Sequence, residues 1–282
     1  MKSARRKTLQ SALRLAVYAA AAMTGLIILG ICAAVLAGGI PGFSPEIFSR
    51  VYTSENASML PAFVNTLIAV ALALALAVPP GVFAAVYLVE YARRSNPLLG
   101  AVRLAAETLA GVPSIVYGLF GMLLFVVGFR WGYSLLAGSF TLAIMILPLV
   151  MRTAEEALLS VPDTYREGSF GLGAGRLRTV TAVVLPAAAP GIFAGVILAA
   201  GRILGESAAL IFTAGTVAQL PKSLLSSGRT LAVHTYSLSS EGLYLKQAAA
   251  SAAALLILAA LINALSFFLA KKLAKNFRTG RI

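Results

Sequence analysis

The chain has 282 residues, of which 59% are hydrophobic and only 12% are charged. A soluble globular domain carries about 25% charged residues, so this composition excludes an ordinary soluble domain and indicates a membrane protein. A net charge of +13 would suggest nucleic-acid binding in a soluble protein, but here the basic residues flank long apolar runs. The single cysteine, Cys32, excludes an intrachain disulfide and a cysteine metal site.

Six long runs of the sequence contain no Asp, Glu, Lys or Arg. They are 15–45, 56–89, 108–129, 131–151, 179–201 and 247–270. A membrane-spanning helix needs about 20 apolar residues, and each run is long enough. Because backbone polar groups must be satisfied within each segment in lipid, the runs are predicted to be helices. We therefore expect an all-α membrane protein with six transmembrane helices.

The first half of the chain begins with a basic segment, 1–14, followed by a predicted span at about 15–37. We interpret this start as a retained first span, since its apolar run is too long for a signal peptide. The second and third spans are expected at about 62–91 and 111–127. The short segment 97–109 between them is predicted to lie along the membrane interface.

The second half is predicted to contain the fourth, fifth and sixth spans, at about 134–151, 187–213 and 247–270. The longest polar stretch between spans, 153–186, separates the fourth from the fifth. A basic tail, 271–282, follows the last span. The predicted transmembrane domain as a whole covers 15–270.

The basic residues are distributed unequally between the two sides that these spans define. Seventeen lie on the side of both termini, five lie on the other side, and Arg202 lies within a span. Because Lys and Arg are enriched in cytoplasmic loops, both termini are predicted to face the cytoplasm, and 153–186 with them.

The cytoplasmic stretch is acidic at its start, glycine-rich in its middle and basic afterwards. Asp163 and Glu167 come early, where negative charge favours a helix N-terminus. Gly171, Gly173 and Gly175 permit a sharp turn. This order favours two helices joined by a turn and lying flat on the membrane, although a plain solvated loop between two spans would also satisfy it.

The same stretch resembles the EAA loop of ABC importer permeases. In that loop a Glu-Ala-Ala triplet is followed at fixed spacing by a glycine and by an Ile-x-Leu-Pro ending. The corresponding residues here are Glu167, Gly168 and Ser169 for the triplet, Gly173 for the glycine, and Val183, Leu185 and Pro186 for the ending. Gly168, Ser169 and Val183 depart from the pattern. The resemblance implies a coupling helix that docks on an ATP-binding subunit.

Further segments resemble the PstA-type permeases of phosphate importers. They are Val86–Tyr91, Leu109–Gly121, Leu147–Ala157, Arg202–Ala208, the triplet His234–Tyr236, and Asn263. The resemblance implies a type I ABC importer permease in the bacterial cytoplasmic membrane that carries inorganic phosphate. It further implies four kinds of partner: a second, PstC-like permease, two PstB-like ATP-binding subunits, a PstS-like external phosphate-binding protein, and membrane lipid. ATP and Mg would bind those partner subunits, so this chain would be no enzyme and hold no cofactor.

Arg202 and Glu206 are the ionisable residues well inside the predicted fifth span, and Ser207 follows them. A central Arg in a membrane helix costs about 2.5–3.5 kcal/mol on insertion scales, so something must offset that cost. The i,i+4 spacing predicts one helix face, and the pair is then either a structural ion bridge or part of an anion pathway. The resemblance implies that Arg202, Glu206 and Ser207 serve transport.

Three other functions remain to be weighed against phosphate import. The same fold could carry another oxyanion, such as molybdate or sulfate. An ion-coupled secondary transporter would be expected to have repeated halves and coupling carboxylates, and Glu206 alone qualifies. A membrane hydrolase would need a nucleophile and base set, and no such motif occurs in the sequence. As a lone histidine, His234 is expected to serve packing or to make a hydrogen bond rather than to bind a metal.

Overall fold

The computed structural model describes residues 2–93, 97–242 and 244–278. In the first half of the chain two π-helical turns, Tyr87–Tyr91 and Met122–Gly128, extend the helices that precede them. The helices of this half are α1 (Lys2–Gly39), α2 (Leu60–Val86), α3 (Pro97–Ala110), α4 (Ser114–Gly121) and α5 (Leu135–Leu159).

The second half contains one long helix made of two α-helical parts and a π-helical turn, Val180–Val184, between them. The wider turn lies directly before Pro186, which has no N–H to donate to a regular helix. The helices of this half are α6 (Asp163–Gly171), α7 (Arg176–Thr179), α8 (Leu185–Leu204), α9 (Ala208–Ile211), α10 (Leu231–Glu241) and α11 (Leu245–Arg278).

Five helical segments of the described chain are long and apolar enough to cross a membrane. They are Ala12–Gly42, Leu60–Tyr91, Leu135–Leu159, Arg176–Leu204 and Leu245–Leu265. A sixth is possible if Leu99–Ala110 and Ser114–Gly128, which meet at an angle of 100°, together count as one broken span. Pro113 lies at this bend and disfavours helical geometry for the residue before it. The predicted all-α membrane architecture is confirmed.

The centre of the bundle is the packing of α5 against α2 and α8. About 67% of the most apolar window of α5 is buried inside the protein, whereas none of the corresponding window of α1 is. Leu142, Ile146 and Val150 of α5 are almost completely buried and face the core. α1 therefore lies at the periphery, where its large apolar side chains are exposed, as expected of a helix that contacts lipid.

Glycines allow helices to approach closely both at the periphery of this bundle and at its centre. A Cβ at Gly42, after α1, would lie 2.6 Å from the Lys246 carbonyl oxygen of α11. A Cβ at Gly81 of α2 would lie 2.9 Å from a Val150 methyl group of α5. Such small residues are the usual means of packing helices in membranes, where close backbone approach replaces the hydrophobic effect.

Candidate transport pathway and coupling segment

The fifth span is broken at the position of the predicted pathway residues. α8 ends at Leu204, Gly205 follows, and Glu206 begins a new connection to α9. The Ala209 N–H donates to Glu206 Oε1 at 3.1 Å, so the Glu206 side chain starts the next helix instead of continuing the last one. The helix that was expected to continue to residue 213 ends at Leu204, so Arg202 and Glu206 do not share one continuous helix face.

Arg202 and Glu206 do not pair with each other. Both side chains are described, both are half-buried, and no nitrogen–oxygen distance between them is within 4 Å. Ser207, also half-buried, precedes α9 and makes no capping hydrogen bond with its side chain. The structure thus brings the three predicted residues to one helix break without joining them, and the ion-bridge alternative has no support.

The surroundings of Arg202 offset its charge only in part. It lies in the last turn of α8, where a positive charge is stabilised by about 0.3–1 kcal/mol through the helix dipole. Among the described residues no carboxylate lies within ion-pair distance of Arg202. Within the described part of the chain, the Arg202 guanidinium is therefore not neutralised by an ion pair.

The segment after the break in the fifth span packs closely against the third and fourth spans. A Cβ at Gly118 of α4 would lie 2.8 Å from the Ala209 Cα of α9. A Cβ at Gly138 of α5 would lie 2.9 Å from a methyl group of Leu210. Because both glycines admit the short helix α9, the segment after Arg202 is fixed in place by its neighbours.

The predicted coupling segment forms two helices joined by a turn. α5 runs on to Leu159, so the polar stretch between helices is shorter than the predicted 153–186. α6, a tight turn and α7 follow, and Gly173 in the turn has φ of +82°. This left-handed conformation is readily adopted by glycine, which explains why a glycine stands there.

The residues expected to couple to a partner lie on different surfaces of this segment. Glu167, Gly168 and Gly173 are exposed. Ser169 is half-buried, and its hydroxyl lies 2.8 Å from that of the buried Thr179 on α7. Leu185 and Pro186 are half-buried at the start of α8 and are continuous with the membrane helix.

An open groove of ≈530 Å³ runs between α6 and the following helix. Tyr165, Ser169, Leu172, Arg178 and Val183 are among the residues that line it. Leu172, at the turn, is 91% exposed, which is unusual for a large apolar side chain outside the membrane-spanning segments. An exposed large apolar side chain such as Leu172 beside a groove is typical of a surface that binds a protein partner.

Two ion pairs that the sequence did not predict lie at the span ends next to the coupling segment. Arg103 of α3 donates from Nε to Glu155 Oε1 of α5 at 2.8 Å, and Arg166 of α6 binds Glu90 at 2.7 Å. Both carboxylates are at least nine-tenths buried. The available signal was that Glu90 directly ends a charge-free run, where an acid must find a partner.

A buried polar cluster lies near the opposite ends of the spans, between α10 and the segment before α2. The guanidinium carbon of Arg229 lies 4.6 Å from the ring centroid of Tyr52, and the His234 ring centroid lies 6.1 Å from the same centroid. Burial and the nearby Arg229 charge lower the pKa of His234 to about 3, although the Ala57 backbone opposes the shift. His234 is therefore neutral, and its expected packing role agrees with its complete burial.

Sequence comparisons identify relatives of the chain. Residues 77–279 match the family described as "Binding-protein-dependent transport system inner membrane component". The chain is 34% identical over 241 residues to the probable ABC transporter permease protein YqgI of Bacillus subtilis, covering 76% of this chain and 82% of the relative. It is 38% identical over 175 residues to the phosphate transport system permease protein PstA of Mycobacterium leprae, covering 62% of this chain and 54% of that protein.

Solved structures of ABC importers share this fold. A bacterial alginate ABC transporter covers 95% of the chain with a TM-score of 0.69 at 15% identity, matched over 98% of that chain. The MetNI methionine ABC transporter covers 76% with a TM-score of 0.59 at 19% identity, matched over 94% of its chain. At these identities the likeness concerns the fold alone. The resemblance to PstA-type permeases is confirmed by the sequence relatives, and the chain belongs to the family of binding-protein-dependent transport system inner membrane components, with the type I ABC importer permease fold.

Proposed function

We propose that this chain is the PstA-like permease subunit of an ABC importer that carries inorganic phosphate across the bacterial cytoplasmic membrane. Its partners would be a PstC-like permease, two PstB-like ATP-binding subunits and a PstS-like external phosphate-binding protein. ATP and Mg would bind the ATP-binding subunits, so this chain itself performs no hydrolysis. Both termini and the coupling segment would face the cytoplasm, as the distribution of basic residues indicates.

The observation that carries the substrate proposal is the half-buried Arg202 guanidinium at a helix break, without a carboxylate partner among the described residues. A guanidinium matches phosphate oxygens in a two-bond geometry and remains charged at any physiological pH. Discontinuous helices near the middle of the membrane are common ion and substrate sites in transporters. The phosphate permeases among the relatives support the same substrate.

Glu206 and Ser207 complete the proposed pathway. Oε1 of Glu206 accepts the Ala209 N–H, which leaves its second oxygen available to a passing ligand or to water. The proposed coupling residues are Glu167, Gly168, Ser169, Gly173, Leu185 and Pro186. Movement of the exposed part of α6 would reach Arg202 through α7 and α8, because these helices form one continuous rod from Arg176 to Leu204.

The substrate proposal is tested by ATP hydrolysis of the assembled complex with its external binding protein. Phosphate is expected to stimulate hydrolysis, whereas molybdate and sulfate at equal concentrations leave it near the basal rate. Stimulation by molybdate or sulfate in place of phosphate would overturn the substrate, and stimulation without any ATP-binding partner would overturn the ABC assignment.

A further inference from the structure

The Arg166 side chain reaches inward from α6 and joins three helices at the membrane surface. Its neighbour Glu167 is exposed, whereas the Arg166 side chain is only 14% exposed. Nε and Nη2 of Arg166 donate to Glu90 Oε1 at 3.0 and 2.7 Å. Glu90 lies in the π-helical turn that ends the second span, and its side chain is 7% exposed.

The same guanidinium also closes the end of the fourth span. Nη2 donates to the Leu158 carbonyl at 3.0 Å and Nη1 to the Val161 carbonyl at 2.8 Å. Carbonyls at a helix C-terminus have no partner within the helix, so they accept donors from outside. With a bond from Nη1 to Asp163 at 3.1 Å, Arg166 makes five hydrogen bonds, as many as its N–H groups.

We propose that Arg166 and Glu90 are positioning residues that lock α6 to the inner ends of the second and fourth spans, so that the three move as one body during transport. This inference rests on the proposed function of α6 as the coupling helix. The planar guanidinium can reach a carboxylate and two carbonyls at once, whereas a lysine ammonium is a point donor. The contact is largely shielded from solvent, because the Arg166 and Glu90 side chains are only 14% and 7% exposed and Leu158 and Val161, whose carbonyls Arg166 binds, belong to a buried apolar cluster.

Glu90 and Asp163 form a matched pair for testing the lock, because both carboxylates bind Arg166. Glu90 is buried, whereas the Asp163 side chain is 78% exposed. An exposed ion pair contributes little, so Asp163→Asn is the control for Glu90→Gln. Gln at position 90 keeps an acceptor oxygen of nearly the same shape and removes only the charge.

The experiment compares these variants in the assembled complex by two measurements. The first is amide hydrogen exchange of 163–171, which reports the attachment of α6 whatever the substrate is. The second is the amount of phosphate taken up per ATP hydrolysed in proteoliposomes. In Glu90→Gln we expect exchange at least tenfold faster and uptake per ATP at least fivefold lower, with both within twofold of wild type in Asp163→Asn.

Unchanged exchange in Glu90→Gln would overturn the lock. Faster exchange with normal uptake per ATP would overturn the positioning role, since the contact would then be merely structural. If Glu90→Gln does not assemble, Arg166→Lys gives the same two readings, because it keeps the charge and loses the simultaneous contacts. A wild-type complex that takes up no phosphate would overturn the proposed function alone, and the exchange comparison would still decide the lock.

Discussion

Arg202 and His234 are both ionisable residues in surroundings of low polarity, but only His234 can lose its charge there. A guanidinium does not release its proton under physiological conditions, so Arg202 must be stabilised by its surroundings or by an anion. An imidazole can be neutral, and burial together with the Arg229 charge lowers the pKa of His234 to about 3. The charge of Arg202 is thus permanent, while that of His234 appears only when the region around α10 opens or unfolds.

His234 should make the stability of the complex depend on pH. Its pKa is about 3 in the folded chain and about 6.5 when unfolded, so only the unfolded form takes up a proton between these values. The full stability is present above pH 6.5 and is lost as the pH falls toward 3. At pH 5.0 the loss should be about 2 kcal/mol. We expect the thermal midpoint to fall between pH 7.5 and 5.0, and to fall less in His234→Gln.

The control for this prediction is the size of the pH effect, rather than the absolute midpoint, because removing a buried ring also changes packing. An equal fall in the thermal midpoint of His234→Gln would show that another group titrates. The assignment of a neutral imidazole to His234 in the folded chain would then be contradicted.

Substitutions at Gly173 and Gly171 can show whether the backbone conformation of the turn, rather than the space for a side chain, requires a glycine. A Cβ at either position meets no atom within 4 Å, but only Gly173 has a positive φ. A left-handed conformation costs about 1–2 kcal/mol for a residue with a Cβ. We expect Gly173→Val to lower uptake several-fold in an assembled complex and Gly171→Ala to leave it unchanged. Equal uptake by the two variants would contradict the coupling role of the turn.

At the scale of the helices, the sequence predicted where long apolar helices occur but not where they are interrupted. The charge-free runs predicted helices correctly because lipid leaves the backbone no other choice. The end of α8 at Leu204 was missed, since Arg202 and Glu206 have the spacing of a continuous helix. The break coincides with the hydrogen bond from the Ala209 N–H to Glu206 Oε1 and with the close packing of α9 on Gly118. The packing of α9 on Gly118 joins parts of the chain that are far apart in sequence, so spacing alone could not reveal it.

For the candidate site, too, the sequence predicted the segments involved but not the contacts between them. The spacing of the EAA-like motif indicated α6 and the turn at Gly173, and the position of Arg202 inside a predicted span indicated the helix break. The contact between Arg166 and Glu90 was missed because the two residues are 76 positions apart. The role of Ser169 was also unforeseen, since its hydroxyl faces Thr179 within the segment. Partners that lie on separate helices require the packed structure.

The packing of α8 on α5 can be tested with two glycines of the same helix. A Cβ at Gly195 would overlap the Thr153 side chain, whereas one at Gly201 would have its nearest atom, Asn263 Oδ1, at 4.0 Å. Overpacking of this kind costs about 1–3 kcal/mol. Gly195→Ala should therefore lower the thermal midpoint of the purified complex, and Gly201→Ala should not. Equal midpoints would mean that α5 and α8 do not pack as described.

At the scale of the whole molecule, the unequal distribution of basic residues predicts which side of the membrane each loop faces. In a Cys32→Ala background, a cysteine at the exposed Ser54 should react with an impermeant thiol reagent in intact cells. A cysteine at the exposed Arg93 should react only after the cells are opened. Labelling of position 93 from outside would reverse the topology and remove α6 from the side where ATP-binding subunits act.

In the proposed mechanism phosphate passes the helix break at Arg202, driven by ATP hydrolysis on the partner subunits. The most direct measurement is uptake of labelled phosphate by proteoliposomes that contain the assembled complex, ATP and the external binding protein. Wild type and Arg130→Gln, which alters an exposed arginine in the turn before α5, should take up phosphate. Arg202→Gln should assemble and take up at least tenfold less, because no carboxylate is stranded by the change. Uptake by Arg202→Gln at the wild-type rate would contradict the account.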